Sequence, residues 1–148
     1  MDLGLAGARV VVTGGSRGMG RAAAATFACE GSRIAIVARR QAELDLAVAA
    51  LSDLGSPDVF GIVADLTDES QVKGAFEYVA LRWGSIDVLV NAAGPVDVGV
   101  ARFEDLDDDE WFATFNIGTQ CGQMGSSRAS ASAPGRLRSH RQHLGSLD

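Results

Sequence analysis

The chain has 148 residues, enough for about one domain, and 47% of them are hydrophobic, which is sufficient for a buried core. No apolar run is long enough to cross a membrane and no secretory signal precedes Leu3, so we expect a soluble, cytoplasmic protein. A formal net charge of -6 argues against a nucleic-acid partner. The two cysteines, Cys29 and Cys121, have no CxxC spacing, and we expect neither a disulfide framework nor a metal site.

A glycine-rich turn follows the first predicted strand, residues 9–12, and opens an alanine-rich helix. The turn reads Thr13-Gly14-Gly15-Ser16-Arg17-Gly18-Met19-Gly20. Gly14 can adopt a positive φ, Gly18 leaves room for a ligand, and Gly20 lets the helix pack closely on the strand. The N-terminus of that helix attracts phosphate. This order of strand, turn and helix is typical of a dinucleotide-binding site, and the alternative is a glycine-rich turn with no ligand.

Three further strands are predicted where short β-branched runs are bounded by turn residues. They cover Arg33–Ala38, Val59–Val63 and residues 86–90. Apolar residues at helical spacing predict the helices between them. These residues, which we expect to be core, are Leu44, Val48, Leu51 and Leu54 in one helix and Val72, Phe76, Val79 and Trp83 in the next. Asp68 is a predicted helix cap, and Gly55 and Gly84 are predicted helix stops. The pattern βαβαβαβ indicates one half of a doubly wound parallel sheet.

Four motifs in this order resemble the short-chain dehydrogenase/reductase family. They are the glycine turn at 13–20, Asp65-Leu66 after the third strand, Asn91-Ala92-Ala93-Gly94 after the fourth, and Asn116. The resemblance runs from about Leu5 to Thr119. It implies an α/β fold, a Rossmann-type doubly wound parallel sheet truncated to about its first four strands and their helices. Residues 1–119 would then form an incomplete NAD(P)-binding domain.

The resemblance also assigns roles in cofactor binding. Asp65 would accept a hydrogen bond from the adenine amino group, while the Leu66 N–H would meet the ring; the alternative for Asp65 is a turn or helix-capping aspartate. Asn91 would tie the fourth strand to its neighbours, and the three small residues after it would leave room for the ribose. The predicted cofactor-binding residues are Thr13, Gly14, Ser16, Arg17, Gly18, Met19, Gly20, Arg39, Arg40, Asp65, Leu66, Asn91, Ala92, Ala93 and Gly94.

Charge indicates which cofactor is preferred. An acidic residue at the end of the second strand would hydrogen-bond the ribose 2′-hydroxyl of NAD and repel the 2′-phosphate of NADP. This chain has Ala38-Arg39-Arg40 there instead. Arg17, within the glycine turn, could reach the same phosphate, and arginine binds phosphate through paired hydrogen bonds. We therefore expect NADP(H) to be preferred, with NAD(H) possible. The alternative is two solvated arginines at a helix start.

The family resemblance implies a catalytic tyrosine with a lysine four residues later, a serine, and an asparagine. Their chemistry is hydride transfer between the nicotinamide and a carbonyl or alcohol substrate. Of these residues we match only the asparagine, at Asn116. The one tyrosine, Tyr78, and the one lysine, Lys73, both precede it in reversed order. We therefore expect this chain to be inactive as an enzyme.

Beyond Thr119 the composition changes. Residues 120–148 hold four arginines against one aspartate and contain no Val, Ile, Phe, Tyr or Trp, so we predict a disordered tail. His140 and His143 lack acidic or thiolate neighbours and predict no metal site. If residues 138–145 are back-translated and read one nucleotide later, they can encode Gly-Arg-Ile-Val-Asn-Ile-Ser. By the resemblance, this sequence is typical of the family's fifth strand and catalytic serine. This favours the hypothesis of a frameshift near residue 120.

Such a change would leave the fourth strand as an apolar sheet edge. The helix containing Trp111, Phe112 and Phe115 would lose packing partners and, by the resemblance, part of a homo-oligomer interface. We therefore expect a marginal, aggregation-prone chain in which the family's oligomer is not assembled. Three interpretations remain open: an enzyme, a binding module without chemistry, and a frameshift product without function.

Overall fold

The computed structural model describes residues 3–94, in which strands and helices alternate. In chain order the elements are β1 Arg9–Thr13, α1 Gly18–Cys29, β2 Arg33–Ala38, α2 Gln41–Ser52, β3 Val59–Val63, α3 Glu69–Trp83 and β4 Val88–Asn91. The predicted order βαβαβαβ and the Rossmann-type parallel sheet are confirmed. None of the helices in this part of the chain is long and apolar enough to cross a membrane.

All strand pairs in the sheet are parallel, and their order is β3-β2-β1-β4. The chain therefore moves outward from β1 through β2 to β3, and then returns to place β4 on the other side of β1. This reversal is the topological switch point at which open α/β sheets bind their ligands. Within residues 3–94, β4 pairs with β1 alone.

The alternating side chains of β1 divide the core between the two faces of the sheet. Val10 and Val12 pack with buried residues of α1 and α2, whereas Val11 packs with those of α3. All three valines are fully buried. Because both faces are covered, the strands are apolar throughout, as expected for a parallel sheet between helices.

The ends of the predicted elements differ from the structure at two places. The helix α2 ends at Ser52, so Leu54 lies beyond the helical spacing and is 42% exposed; its prediction as core was wrong. Gly55, predicted as the stop, instead lies in the following turn with φ +99°. Strand β4 begins at Val88 rather than at residue 86; just before it, the Asp87 side chain accepts a hydrogen bond from the Arg9 N–H.

The predicted ends of α3 are confirmed. Asp68 caps the helix, with its side chain accepting from the N–H groups of Ser70 and Gln71, and Gly84 ends it with φ +78°. Hydrogen bonds from Ser70 and Gln71 lower the pKa of Asp68 to about 2. The ionised carboxylate is the form that caps, so folding favours deprotonation.

This cap predicts a pH-dependent contribution to stability. The folded pKa of Asp68 lies below its ordinary 3.8, so the stabilisation is present above pH 4 and is lost as the pH falls toward 2. We expect Asp68→Ala to lower the free energy of unfolding at pH 7, with the difference from wild type vanishing near pH 2. Urea unfolding at several pH values checks this. Glu69→Gln, which removes a neighbouring carboxylate but no cap, should show no such convergence.

Candidate functional site

A cavity of about 460 Å³ lies at the carboxyl ends of the four strands. Each strand leads into a segment that lines it, so the cavity coincides with the switch point of the sheet. The lining residues are Gly14, Ser16, Arg17, Gly18, Met19, Gly20, Ala38, Arg39, Arg40, Glu43, Ala64, Asp65, Leu66, Thr67, Ala92, Ala93 and Gly94. The structure thus brings together 13 of the 15 predicted cofactor-binding residues, all except Thr13 and Asn91.

The glycine turn is held against the end of β4. Gly14 has φ +69°, as predicted, and donates its N–H to the Val37 carbonyl at 2.8 Å. A Cβ on Gly14 would lie 2.8 Å from the backbone of Ala93, and one on Gly20 would lie 2.8 Å from the Gly14 carbonyl carbon and closer still to its oxygen. Both positions therefore require glycine, because any larger residue would push backbone apart.

The N-terminus of α1 faces this cavity without a cap from a side chain. The N-cap residue Arg17 makes no capping hydrogen bond, and the first turn holds no acidic residue. Gly18 has φ +55°, and a Cβ built on it would meet nothing within 4 Å. In α3, by contrast, Asp68 caps the end and Glu69 lies in the first turn. The first N–H groups of α1 are therefore available to an anion.

Asp65 is both a turn residue and a cavity residue. Its Oδ1 accepts from the N–H of Thr67 at 2.9 Å and from the Thr67 hydroxyl at 2.8 Å. These bonds, followed by the positive charge of Arg39, hold its pKa below the ordinary value. No hydrogen bond to Oδ2, and none from the Leu66 N–H, is made within residues 3–94. Asp65 is therefore a turn aspartate through Oδ1, while Oδ2 has no hydrogen-bond partner among residues 3–94.

Three arginines line one side of the cavity. Arg40 forms an ion pair with Glu43, whereas Arg17 and Arg39 form none with the described residues. The pKa of Glu43 is held below its ordinary value, first by the hydrogen bond from Arg40 and then by its charge, by Ser16 and by the charge of Arg17. The site therefore combines two guanidinium groups that form no ion pair among the described residues with two carboxylates, Glu43 and Asp65, that are ionised at neutral pH.

Thr13 and Asn91 lie beside the cavity rather than in its lining. Thr13 is buried, and its hydroxyl contacts the Asn91 side chain at 3.3 Å and the Val90 carbonyl at 3.4 Å. The Ala92 N–H donates to the Thr13 carbonyl at 3.1 Å. These bonds join the end of β1 to the end of β4, so both residues position the segments that line the cavity.

The prediction missed four residues that line the cavity, Ala38, Glu43, Ala64 and Thr67, and it left out Gly15 of the glycine turn. The (i, i+3) spacing of Glu43 from Arg40 could have indicated their ion pair, and Thr67 follows an aspartate at the spacing of a turn that bonds back to it. A Cβ on Gly15 would lie 2.6 Å from the Ile36 side chain, a contact between distant residues that no local signal reveals.

The predicted catalytic Asn116 lies outside the described residues, as do Cys121, His140, His143 and the rest of the predicted tail. Tyr78 and Lys73 are described, and both lie on α3 away from the cavity lining. The Tyr78 ring packs edge-on against Phe60 at 5.7 Å between centroids.

Comparison with known proteins identifies the family. The sequence pattern of short chain dehydrogenases matches residues 8–130, most of the chain. The chain belongs to the short chain dehydrogenase family. The match extends beyond Thr119, the limit of the resemblance expected from the motifs.

Curated relatives in this family include fungal and bacterial proteins. The chain is 38% identical over 116 residues to the short chain dehydrogenase tazN of Aspergillus terreus, covering 78% of this chain and 25% of that protein. It is 36% identical over 117 residues to the uncharacterized oxidoreductase YvrD of Bacillus subtilis, covering 79% and 43%. The chain thus spans less than half the length of these relatives.

Solved structures agree with the fold. The L-sorbose reductase of Gluconobacter frateurii, complexed with NADPH and L-sorbose, has a TM-score of 0.78 at 28% identity, covering 88% of this chain and 51% of that one. A short chain dehydrogenase of Burkholderia cenocepacia in complex with NADP has a TM-score of 0.72 at 34% identity, covering 86% and 51%. This chain therefore corresponds to about half of each.

The close approach of Gly20 to Gly14 predicts that alanine substitutions at two helical glycines, Gly20 and Gly74, change the free energy of unfolding in opposite directions. Gly20 and Gly74 both lie within helices, but a Cβ on Gly74 would meet nothing within 4 Å. We expect Gly20→Ala to destabilise by about 2–3 kcal/mol through overpacking. Gly74→Ala should stabilise by about 0.5–1 kcal/mol through helix propensity. Thermal and urea unfolding check both, and equal effects would contradict the packing argument.

Proposed function

We propose that this chain binds NADP(H) in the cavity at the carboxyl ends of its strands. The observation that carries the proposal is the convergence of two kinds of anion attraction on one cavity. The uncapped N-terminus of α1 offers backbone N–H groups, and the guanidinium groups of Arg17 and Arg39 are unpaired among the described residues. Phosphate groups are the ligands that both features favour.

The remaining lining suits the adenosine part of a dinucleotide. Asp65 is ionised and keeps one oxygen without a partner in residues 3–94, so it can accept from an exocyclic amino group. The neighbouring Leu66 N–H is a donor for a ring nitrogen. Gly14, packed on Ala93, keeps this part of the lining free of bulky side chains.

The preference for NADP(H) over NAD(H) rests on the residues that follow β2. The strand ends at Ala38 and is followed by Arg39 and Arg40, where an acidic residue would favour the free hydroxyl of NAD. Two structural neighbours in the family are complexes with NADPH or NADP. We propose that this chain binds NADP(H) as well, with NAD(H) as the weaker ligand.

For the full-length family member we propose hydride transfer between the nicotinamide and the carbonyl or hydroxyl carbon of a small molecule. The cofactor supplies the hydride chemistry, and the protein orients both partners. Asn116 is the residue of this chain that we propose for the catalytic set. We further propose a cytoplasmic location and, for the full-length protein, a homo-oligomer.

For the 148-residue chain itself we propose cofactor binding without turnover. Its one tyrosine and one lysine lie on α3, outside the cavity lining. Neither is therefore available to transfer a proton at the cavity. A second candidate is a frameshift product with neither activity nor binding. The observation that supports it is the composition shift after Thr119.

Arginine substitutions test the cofactor preference. We expect Arg39→Ala to weaken NADPH binding about tenfold or more, because a charge-assisted hydrogen bond to phosphate is lost, with NADH binding changed less than about threefold. Titration calorimetry with both nucleotides measures this. Arg33→Ala removes an arginine at the opposite end of the same strand and should leave both affinities unchanged. Equal loss for NADPH and NADH would contradict the assignment of Arg39.

Turnover tests the catalytic interpretation. We expect the purified chain to bind NADPH but to consume none of it with a panel of aldehydes and ketones, measured by NADPH absorbance. Turnover of any carbonyl would contradict the proposed inactivity. Absence of both binding and turnover would favour the frameshift product, and sequencing the gene beyond the Thr119 codon would then look for Tyr-x-x-x-Lys in another frame.

A further inference from the structure

Glu43 joins two of the segments that line the cavity. Its Oε1 accepts from Nη1 of Arg40 at 2.8 Å, and its Oε2 accepts from the Ser16 hydroxyl at 3.3 Å. Ser16 belongs to the glycine turn after β1, whereas Arg40 directly precedes α2. The carboxylate therefore links the glycine turn to the end of β2, where cofactor preference is decided in this fold.

The negative charge of Glu43 lies among the arginines of the cavity. Arg40 donates to it and holds its pKa below the ordinary value, and the charge of Arg17 contributes in the same direction. The pair is partly exposed, with the side chain of Glu43 31% and that of Arg40 67% accessible. Solvent therefore screens this charge but does not remove it.

We propose that Glu43 is a specificity-determining residue that lowers the preference of this site for NADPH over NADH. The proposal rests on the proposed function, binding of NADP(H) in this cavity. Glu43 acts in two ways: it occupies Arg40 and the Ser16 hydroxyl, and it repels the additional phosphate that distinguishes NADPH. NADH carries a hydroxyl instead, for which a carboxylate is a hydrogen-bond acceptor rather than an opposing charge.

The proposal predicts that the two arginines after β2 are unequal phosphate ligands. Arg39 forms no ion pair in the described part of the chain. Arg40, by contrast, is paired with Glu43, three residues further along the chain in α2. Removing the carboxylate charge frees the second guanidinium and removes the repulsion together. Both effects raise affinity for NADPH more than for NADH, because only NADPH carries the additional phosphate.

The test compares Glu43→Gln with Glu69→Gln in the full chain. Both replace a glutamate in the first turn of a helix, but Glu69 is absent from the cavity lining. The ratio of Kd for NADH to Kd for NADPH should rise about tenfold in Glu43→Gln, the size expected for removing one partly screened charge near a phosphate. It should change less than about twofold in Glu69→Gln. At an ionic strength of about 1 M, where charges are screened within about 3 Å, the gain should shrink.

The outcomes separate this inference from the proposed function. If wild type binds NADPH but the ratio in Glu43→Gln is unchanged or falls, the inference is overturned while NADPH binding stands. If wild type binds neither nucleotide, the proposed function fails and the inference fails with it. Circular dichroism establishes that each variant is folded, and Glu43→Ala provides a second neutral variant whose ratio must move in the same direction.

Discussion

The contact between the glycine turn and the start of the segment after β4 is the constraint on which the site depends. The position of Gly14 against Ala93, and of Gly20 against Gly14, leaves no space for a Cβ. Close packing of this kind admits almost no compensating movement. It brings α1 over the end of β1, so the helix N-terminus opens into the cavity rather than against a neighbouring helix. The electrostatics of the cavity follow from a steric requirement for glycine.

The charges at the two ends of the sheet are used differently. At the amino ends, Arg9 binds Asp87 through both carboxylate oxygens, and Arg82 does the same with Asp58, so these arginines are committed to fixing strand positions. The pKa values of both aspartates are held below the ordinary value by those arginines. At the carboxyl ends the same residue type is left partly uncommitted. A bidentate pair stabilises a fold, whereas an unpaired guanidinium group in a cavity is suited to an incoming anion.

The fold was predictable because its signals are local and mutually consistent. Apolar runs set the strands, Asp68 and Gly84 set the ends of α3, and the glycine turn follows β1 as its spacing indicates. Prediction was wrong at Leu54 because α2 ends at Ser52, before the residue that continued its apolar spacing. Helix ends are the least reliable feature of such patterns.

The site was predictable only where motif and neighbour lie close in sequence. The hydrogen bond between Ser16 and Glu43 spans 27 residues, and it depends on how α2 returns over the turn after β1. Sequence spacing alone presents Glu43 as one more charge on an exposed helix face. Long-range pairing of this kind requires the packed fold, which is why the carboxylate among the arginines was missed.

The residues proposed for cofactor binding are separate in sequence from those that the family resemblance assigns to turnover. The residues proposed for the cofactor lie between Thr13 and Gly94, and contacts among the ends of β1, β2 and β4 hold them in place. The family resemblance assigns its tyrosine, lysine and serine to positions after Asn116. Loss of the catalytic residues would therefore leave the proposed binding chemistry intact, provided that β4 stays paired with β1. Because Gly14 packs on the segment that follows β4, release of this strand would open the cavity and remove binding as well.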